Sequence, residues 1–224
     1  IDTYPSGADV LMAQFYMAES YKNLGKKEQA CDLYRKVIES GDESFVEMAS
    51  LNFAKLSYGL QHWSDAYAGY KSLLANARIE GNKHTALVGM MNSAFAGKDY
   101  KSAIPDAGKV SADSKSTKDE KRRAQYVEAK SYLATSQRDK AFSILKTLSA
   151  SPATPEGAEA AYLVIQDRYD QGKFEEVETL VYKLSDSGNP CITFGCPALL
   201  FLTLRLNHHG TEFIHLKWLI VKSD

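Results

Sequence analysis

The chain is short of the features that most readily announce a function. It has 224 residues and only three cysteines, Cys31, Cys191 and Cys196, too few for a disulfide framework. Lys and Arg number 27 against 28 Asp and Glu, a net charge of −1, so no excess of either sign points to nucleic acid or an anionic membrane. No run approaches the roughly 18 apolar residues of a membrane helix, and no signal peptide is visible. Phosphate-binding glycine loops, HExxH and GxSxG are all absent. "SILK", Ser143 to Lys146, has the S-x2-K spacing of some acyl enzymes, but it falls on an apolar helical stripe beside Leu145. His62 and His84 stand alone near expected helix ends, where surface or capping roles fit them, and Glu175, Glu176 and Glu178 share an exposed turn. Catalytic residues, cofactors and metal ligands are therefore expected to be none, and the protein is read as a non-enzyme.

What the chain does have is a period. Ala30, Ala66, Ala103, Ala141 and Val177 lie 36, 37, 38 and 36 residues apart. Twelve positions before each stands Ala18, Ala54, Met91, Ala129 or Ile165. Four and seven positions after each come Tyr34 and Val37, Tyr70 and Leu73, Ala107 and Val110, Leu145 and Leu148, Val181 and Leu184. The i, i+4, i+7 spacing is an amphipathic helix, and its recurrence makes each unit a helix A, a short turn and a helix B. Start signals agree: Pro155 follows Thr154 at a helix start, and Thr117 with Glu120 has capping-box spacing. Small residues let helices A and B approach closely, and the aromatic at +4 is expected to fill the gap toward the next unit.

These residues resemble the tetratricopeptide repeat. "AESY" (Ala18 to Tyr21) and "AKSY" (Ala129 to Tyr132) match its helix-A element, and "ACDLY" and "AYAGY" its helix-B element. Trp63, Tyr100 and Phe174, three residues before the helix-B position, match as well; Met91, Pro105 and Ala107 depart from the pattern. The period of 36 to 38 looks like slightly elongated bacterial versions. The resemblance implies an all-α fold, an α-solenoid of about five to six helix-turn-helix repeats in a right-handed superhelix. Residues 1–8 would lead in, and 9–187 would form units at 9–42, 43–79, 80–114, 115–152 and 153–187. Residues 188–224 would be a degenerate sixth repeat or cap.

The resemblance further implies a concave groove lined by A helices and used to hold a segment of another protein. Carried over by position, the groove residues are Phe15, Glu19, Lys22, Lys55, Tyr58, Asn92, Phe95, Arg123, Tyr126, Lys130, Tyr162, Gln166 and Tyr169, with Met12, Met48, Leu51, Thr85, Val88, Leu133 and Glu159 beside them. Phe15, Tyr58, Phe95, Tyr126 and Tyr162 are the candidate anchors; for Tyr126, Tyr162 and Tyr169 packing between repeats is the alternative. The positions by which related proteins clamp a chaperone's C-terminal carboxylate hold Phe15, Glu19, Asn52, Thr85 and Gly89, of which only Asn52 agrees, so that clamp is not expected.

From Ser187 to Gly210 a single charged residue, Arg205, remains. Cys191, Cys196, His208, His209 and His215 crowd this end, but a CxxxxC spacing without a second cysteine pair does not suit zinc. A sixth repeat, a self-association face and an error of reading frame all stay open there. The first residue is not Met, so a processed product or excised fragment is expected. The expected partner is a protein or peptide, with neither nucleic acid nor a transmembrane segment. The alternative is a structural module of a larger bacterial envelope protein. Nothing in the residues fixes the compartment; the periplasm or cell envelope is preferred over cytoplasm only through the bacterial resemblance.

Overall fold

Each expected A–B turn carries one residue with positive φ: Gly25 (74°), Gln61 (62°), Lys98 (61°), Ser136 (61°) and Gly172 (73°). In the computed structural model, which describes residues 8–185, these turns join ten helices. They are α1 (Ala8–Asn23), α2 (Lys27–Ser40), α3 (Val46–Gly59), α4 (Trp63–Asn76), α5 (Glu80–Ala96), α6 (Tyr100–Ala112), α7 (Lys118–Ala134), α8 (Arg138–Leu148), α9 (Pro155–Asp170) and α10 (Phe174–Ser185). The segment from 188 onward, with Cys191, Cys196, His208, His209 and His215, lies outside the described residues, as does the lead-in before Ala8.

The turns share one hydrogen-bond pattern. Lys26 N–H donates to the Tyr21 carbonyl and Gly25 N–H to that of Lys22; the same 6→1 bond recurs from His62 to Ser57, Asp99 to Ala94, Gln137 to Tyr132 and Lys173 to Arg168. This is a left-handed closure that satisfies the last carbonyls of every A helix and reverses the chain in two or three residues. Three helix starts are capped by side chains. Thr117 and Glu120 cap α7 reciprocally, Thr154 caps α9 ahead of Pro155, and Asp99 accepts from Ser102 N–H at the start of α6.

The structure divides into two compact units after Ile144, within α8. In the first, each helix from α1 to α7 packs on the next, and the A helices also meet directly, α3 with α5 and α5 with α7. That is the nearest-neighbour packing of an all-α solenoid. Ala30, Ala66 and Ala103 are fully buried, as are Ala18 and Ala54, and Met91 is 1% exposed where a small residue was expected. One core joins Ala18, Ala30, Tyr34, Val37, Ala49 and Phe53; another joins Leu51, Ala54, Tyr70, Leu73, Ala86 and Met90. In the second unit α9 packs on α10 around Ala161, Ile165, Val177 and Leu184. Pro105, the sixth residue of α6, falls in its second turn, where it removes one bond of the ladder, to the Lys101 carbonyl.

Candidate functional site

Glu19, expected in the groove, joins three helices. Its carboxylate accepts from Lys22 Nζ at 2.6 Å, from Asn52 Nδ2 at 2.7 Å and from the hydroxyl of fully buried Tyr34, so α1, α2 and α3 meet on one side chain. Burial pushes its pKa up, but the bonds from Lys22 and Tyr34 outweigh that and hold it below the usual carboxylate value. Burial and the neighbouring carboxylate together drive the Tyr34 hydroxyl well above its ordinary value. Glu19 and Lys22 thus serve the fold, with no free charge to offer a ligand.

The other expected groove residues divide by exposure. Phe15 is half-buried among Tyr16, Tyr34 and Phe45, with ring centroids at 5.7, 6.0 and 5.3 Å. Tyr126, named above as an anchor, is only 7% exposed: its ring meets Phe95 edge-on at 6.4 Å, with Arg123 at 5.2 Å and Lys130 at 5.9 Å over it. It packs α7 against α5 and is not an open anchor, which corrects the expectation. An aromatic side chain at that depth gains more by leaving water than by facing it. Phe95 itself is half-buried between Tyr100, Tyr126 and the Arg123 guanidinium. In the second unit Tyr162 and Tyr169 are half-buried against the Ile165–Val177 core, Tyr169 edge-on to Phe174 at 5.5 Å, and Gln166 donates to Asp170 at 2.8 Å.

Lys55, Tyr58 and Asn92 remain open to solvent or half-open. Tyr58 is 37% exposed and braced edge-on by Trp63 at 5.0 Å, so its ring is held while its outer edge is free. Tyr58 and Asn92 converge, with Thr85 and Val88, on a recess of about 340 Å³ whose remaining walls are Tyr70, His84, Gly89 and Glu120. Four helices of the first unit, α3, α4, α5 and α7, contribute to it. Its floor is an aromatic ring against a glycine backbone, and its rim carries amide, hydroxyl, imidazole and carboxylate groups. Such a surface is chemically able to take an apolar side chain and to hydrogen-bond the polar chain that bears it.

The sequence reading took His84 as isolated and Glu120 as a cap only, and missed their pairing. His84 Nδ1 lies 2.7 Å from Asp113 Oδ2, and its Nε2 lies 3.2 Å from Glu120 Oε1. His84, Val88 and Asn92 are spaced by four on one helical face, and Glu120 follows His84 by 36 residues, one full period. Those two intervals are the signal that would have found them. The two carboxylates stand on opposite nitrogens of one ring, so they do not converge on a common point; among the described residues no set of His, Cys, Asp and Glu could hold a metal ion. Nor is any described helix long and apolar enough to cross a membrane.

Comparison with known proteins agrees with this architecture. Residues 12–40 match the model of the tetratricopeptide repeat family. Among solved structures, the chain is similar to the nearly identical TPR-like repeats of a candidate kinesin light chain from Podosopora anserina and to a variant of those repeats. Each has a TM-score of 0.51 and 15% sequence identity, over 79% of this chain and 93% of that one. No curated protein matches the sequence. Residues 12–40 thus match a tetratricopeptide repeat, and the described helices are similar in fold to TPR-like repeats.

Proposed function

We propose that this array of tetratricopeptide-type repeats is a non-catalytic scaffold that holds a segment of another protein on the A-helix face of its first unit. The recess between Tyr58, Val88 and Asn92 carries the reading. It is open, preformed on rigid helices, and combines a held aromatic edge with uncommitted polar groups. Asn92 has no side-chain hydrogen bond among the described residues, and Lys55, one turn before Tyr58, has no ion pair. Both can therefore be spent on a partner, whereas Glu19, Lys22 and Tyr126 are engaged within the fold. An extended or helical segment placing one apolar side chain in the recess fits this arrangement.

The test replaces Val88 with Arg and Asn92 with Ala together. Both sites are only half-buried, so the helical signal and unfolding midpoint should change little. Baits of the native and double-variant protein would then be used for affinity capture from lysate of the source organism. A partner retained by the native protein and lost by the variant, with competition by a synthetic peptide from that partner, is the expected result. Identical captures on the two baits would remove the recess from the binding surface.

A further inference from the structure

His84 holds two carboxylates from two different elements, Asp113 after α6 and Glu120 in the first turn of α7. A neutral imidazole has one N–H and one lone pair, so it can donate to only one of them; an imidazolium donates to both. The two contacts at 2.7 and 3.2 Å are therefore satisfied together only by the charged ring. The three side chains are 19%, 17% and 33% exposed, partly shielded from water at the surface of the fold, so solvent screens the arrangement in part.

We propose that His84 is a proton-operated latch on the wall of the recess: charged, it ties α5 to Asp113 and Glu120, and neutral, it releases Glu120 and leaves that carboxylate facing the recess. The two contacts are not equal. Asp113 is closer and, through its other oxygen, accepts from Lys115 N–H, which keeps it in place. Glu120 divides its oxygens, Oε2 to the Thr117 N–H and hydroxyl and Oε1 to His84. On deprotonation the longer bond is lost, the capping box of α7 survives, and Oε1 is left without its donor.

The surrounding charges do not substitute for the ring. On α5, Glu80 pairs with Lys83 at 2.6 Å and with Lys115 at 3.1 Å. On α3, Glu47 is taken by Asn82 and by the N–H groups of Arg78 and Ile79. On α7, Arg123 lies over Phe95 and Tyr126, and from α3 and α4 the recess receives only Tyr58 and Tyr70. The direction of titration agrees with the geometry. The hydrogen bond to Asp113, opposed by burial and helped by Glu120, raises His84 above 6.5. The Lys115 N–H and His84 lower Asp113 below 3.8, and the Thr117 N–H, opposed by burial, lowers Glu120 below 4.5. A raised histidine contributes stability that is complete below its ordinary value and lost as pH rises through its folded value. Lowered carboxylates contribute stability present above their ordinary values and lost as pH falls through the folded ones. The latch is thus closed between the carboxylate range and the raised titration of His84, and opens as pH rises through that titration.

The consequence for a partner rests on the docking role proposed for the recess; the latch itself does not, and it can be tested on the protein alone. Ring-nitrogen NMR from pH 5 to 9, with His84 assigned through a His84→Gln variant, should show both nitrogens protonated up to a midpoint above the ordinary histidine value. The amides of Val88 and Asn92 should shift with that same midpoint. Glu120→Gln, which keeps an oxygen for the capping box, should lower the midpoint and shrink the amide shifts. If His84 titrates at or below about 6.5, or if the Val88 and Asn92 amides are flat through its transition, the latch is wrong. That outcome would leave capture of a partner untouched, just as a failed capture would leave the titration intact.

Discussion

A Cβ on Gly89 would stand 2.5 Å from three ring atoms of Tyr70. Tyr70 follows the helix-B alanine by four residues, and its ring closes on the backbone of the next A helix, which only a glycine at 89 allows. Tyr70 shares a core with Leu51, Ala54, Leu73 and Ala86, so its ring can yield only toward the recess it lines. Gly89→Ala gains about 1 kcal/mol of helix propensity. Forcing a methyl into a packed site typically costs about 1–3 kcal/mol, so a net destabilisation of up to roughly 2 kcal/mol is expected in denaturant unfolding. An unchanged or raised midpoint would show that the ring and helix separate freely.

The turns make the opposite prediction. Gln61, Lys98 and Ser136 occupy the left-handed conformation that Gly25 and Gly172 occupy at equivalent places, 36 to 38 residues apart. A side chain in that region costs about 1 kcal/mol or more, part of which glycine gives back through its greater freedom when unfolded. Each of Gln61→Gly, Lys98→Gly and Ser136→Gly should therefore stabilise by roughly 0.5 kcal/mol. The three sites lie in separate turns, 37 and 38 residues apart, so the triple variant should approach the sum. Thermal unfolding of the single and triple variants checks this; a loss at any site would mean that its side chain does more than its backbone.

The fold was legible because a solenoid writes its packing rule once per repeat. Ala18 and Ala30, Ala54 and Ala66, and Ala103 are fully buried where the period placed them, and the capping box at Thr117 and Glu120 is present as the spacing implied. The positive φ values were not legible, since Gln61, Lys98 and Ser136 give no glycine signal and take that geometry from the helices they join. The candidate site was legible only in part. Position along helix A selects the residues on one face, and that sufficed for Tyr58 and Asn92. It does not say which of them the next helix covers: Tyr126 is covered by Phe95, and Glu19 is consumed by Tyr34 and Asn52. His84 reads as isolated near a helix end because its partners, Asp113 and Glu120, are 29 and 36 residues away and are brought to it by tertiary packing alone.

Tyr58 and Tyr126 occupy comparable helix-A faces with opposite fates, and this separates binding from stability. Tyr126 is 7% exposed and carries Phe95, Arg123 and Lys130 around its ring; Tyr58 is 37% exposed and meets Trp63 along one edge. Removing a buried aromatic ring typically costs about 3–5 kcal/mol, and Tyr126→Ala belongs near the lower end because Arg123 and Lys130 can re-enter water. Tyr58→Ala gives up one edge-to-face contact and a partly wet surface, so roughly 1 kcal/mol is expected. Denaturant titrations of the two variants would compare them directly. A large loss for Tyr126 beside a small one for Tyr58 leaves Tyr58 as the tyrosine free to anchor a partner. Equal losses would mean that both rings belong to the inter-repeat core, and the docking surface would then rest on Val88, Asn92 and Lys55 alone.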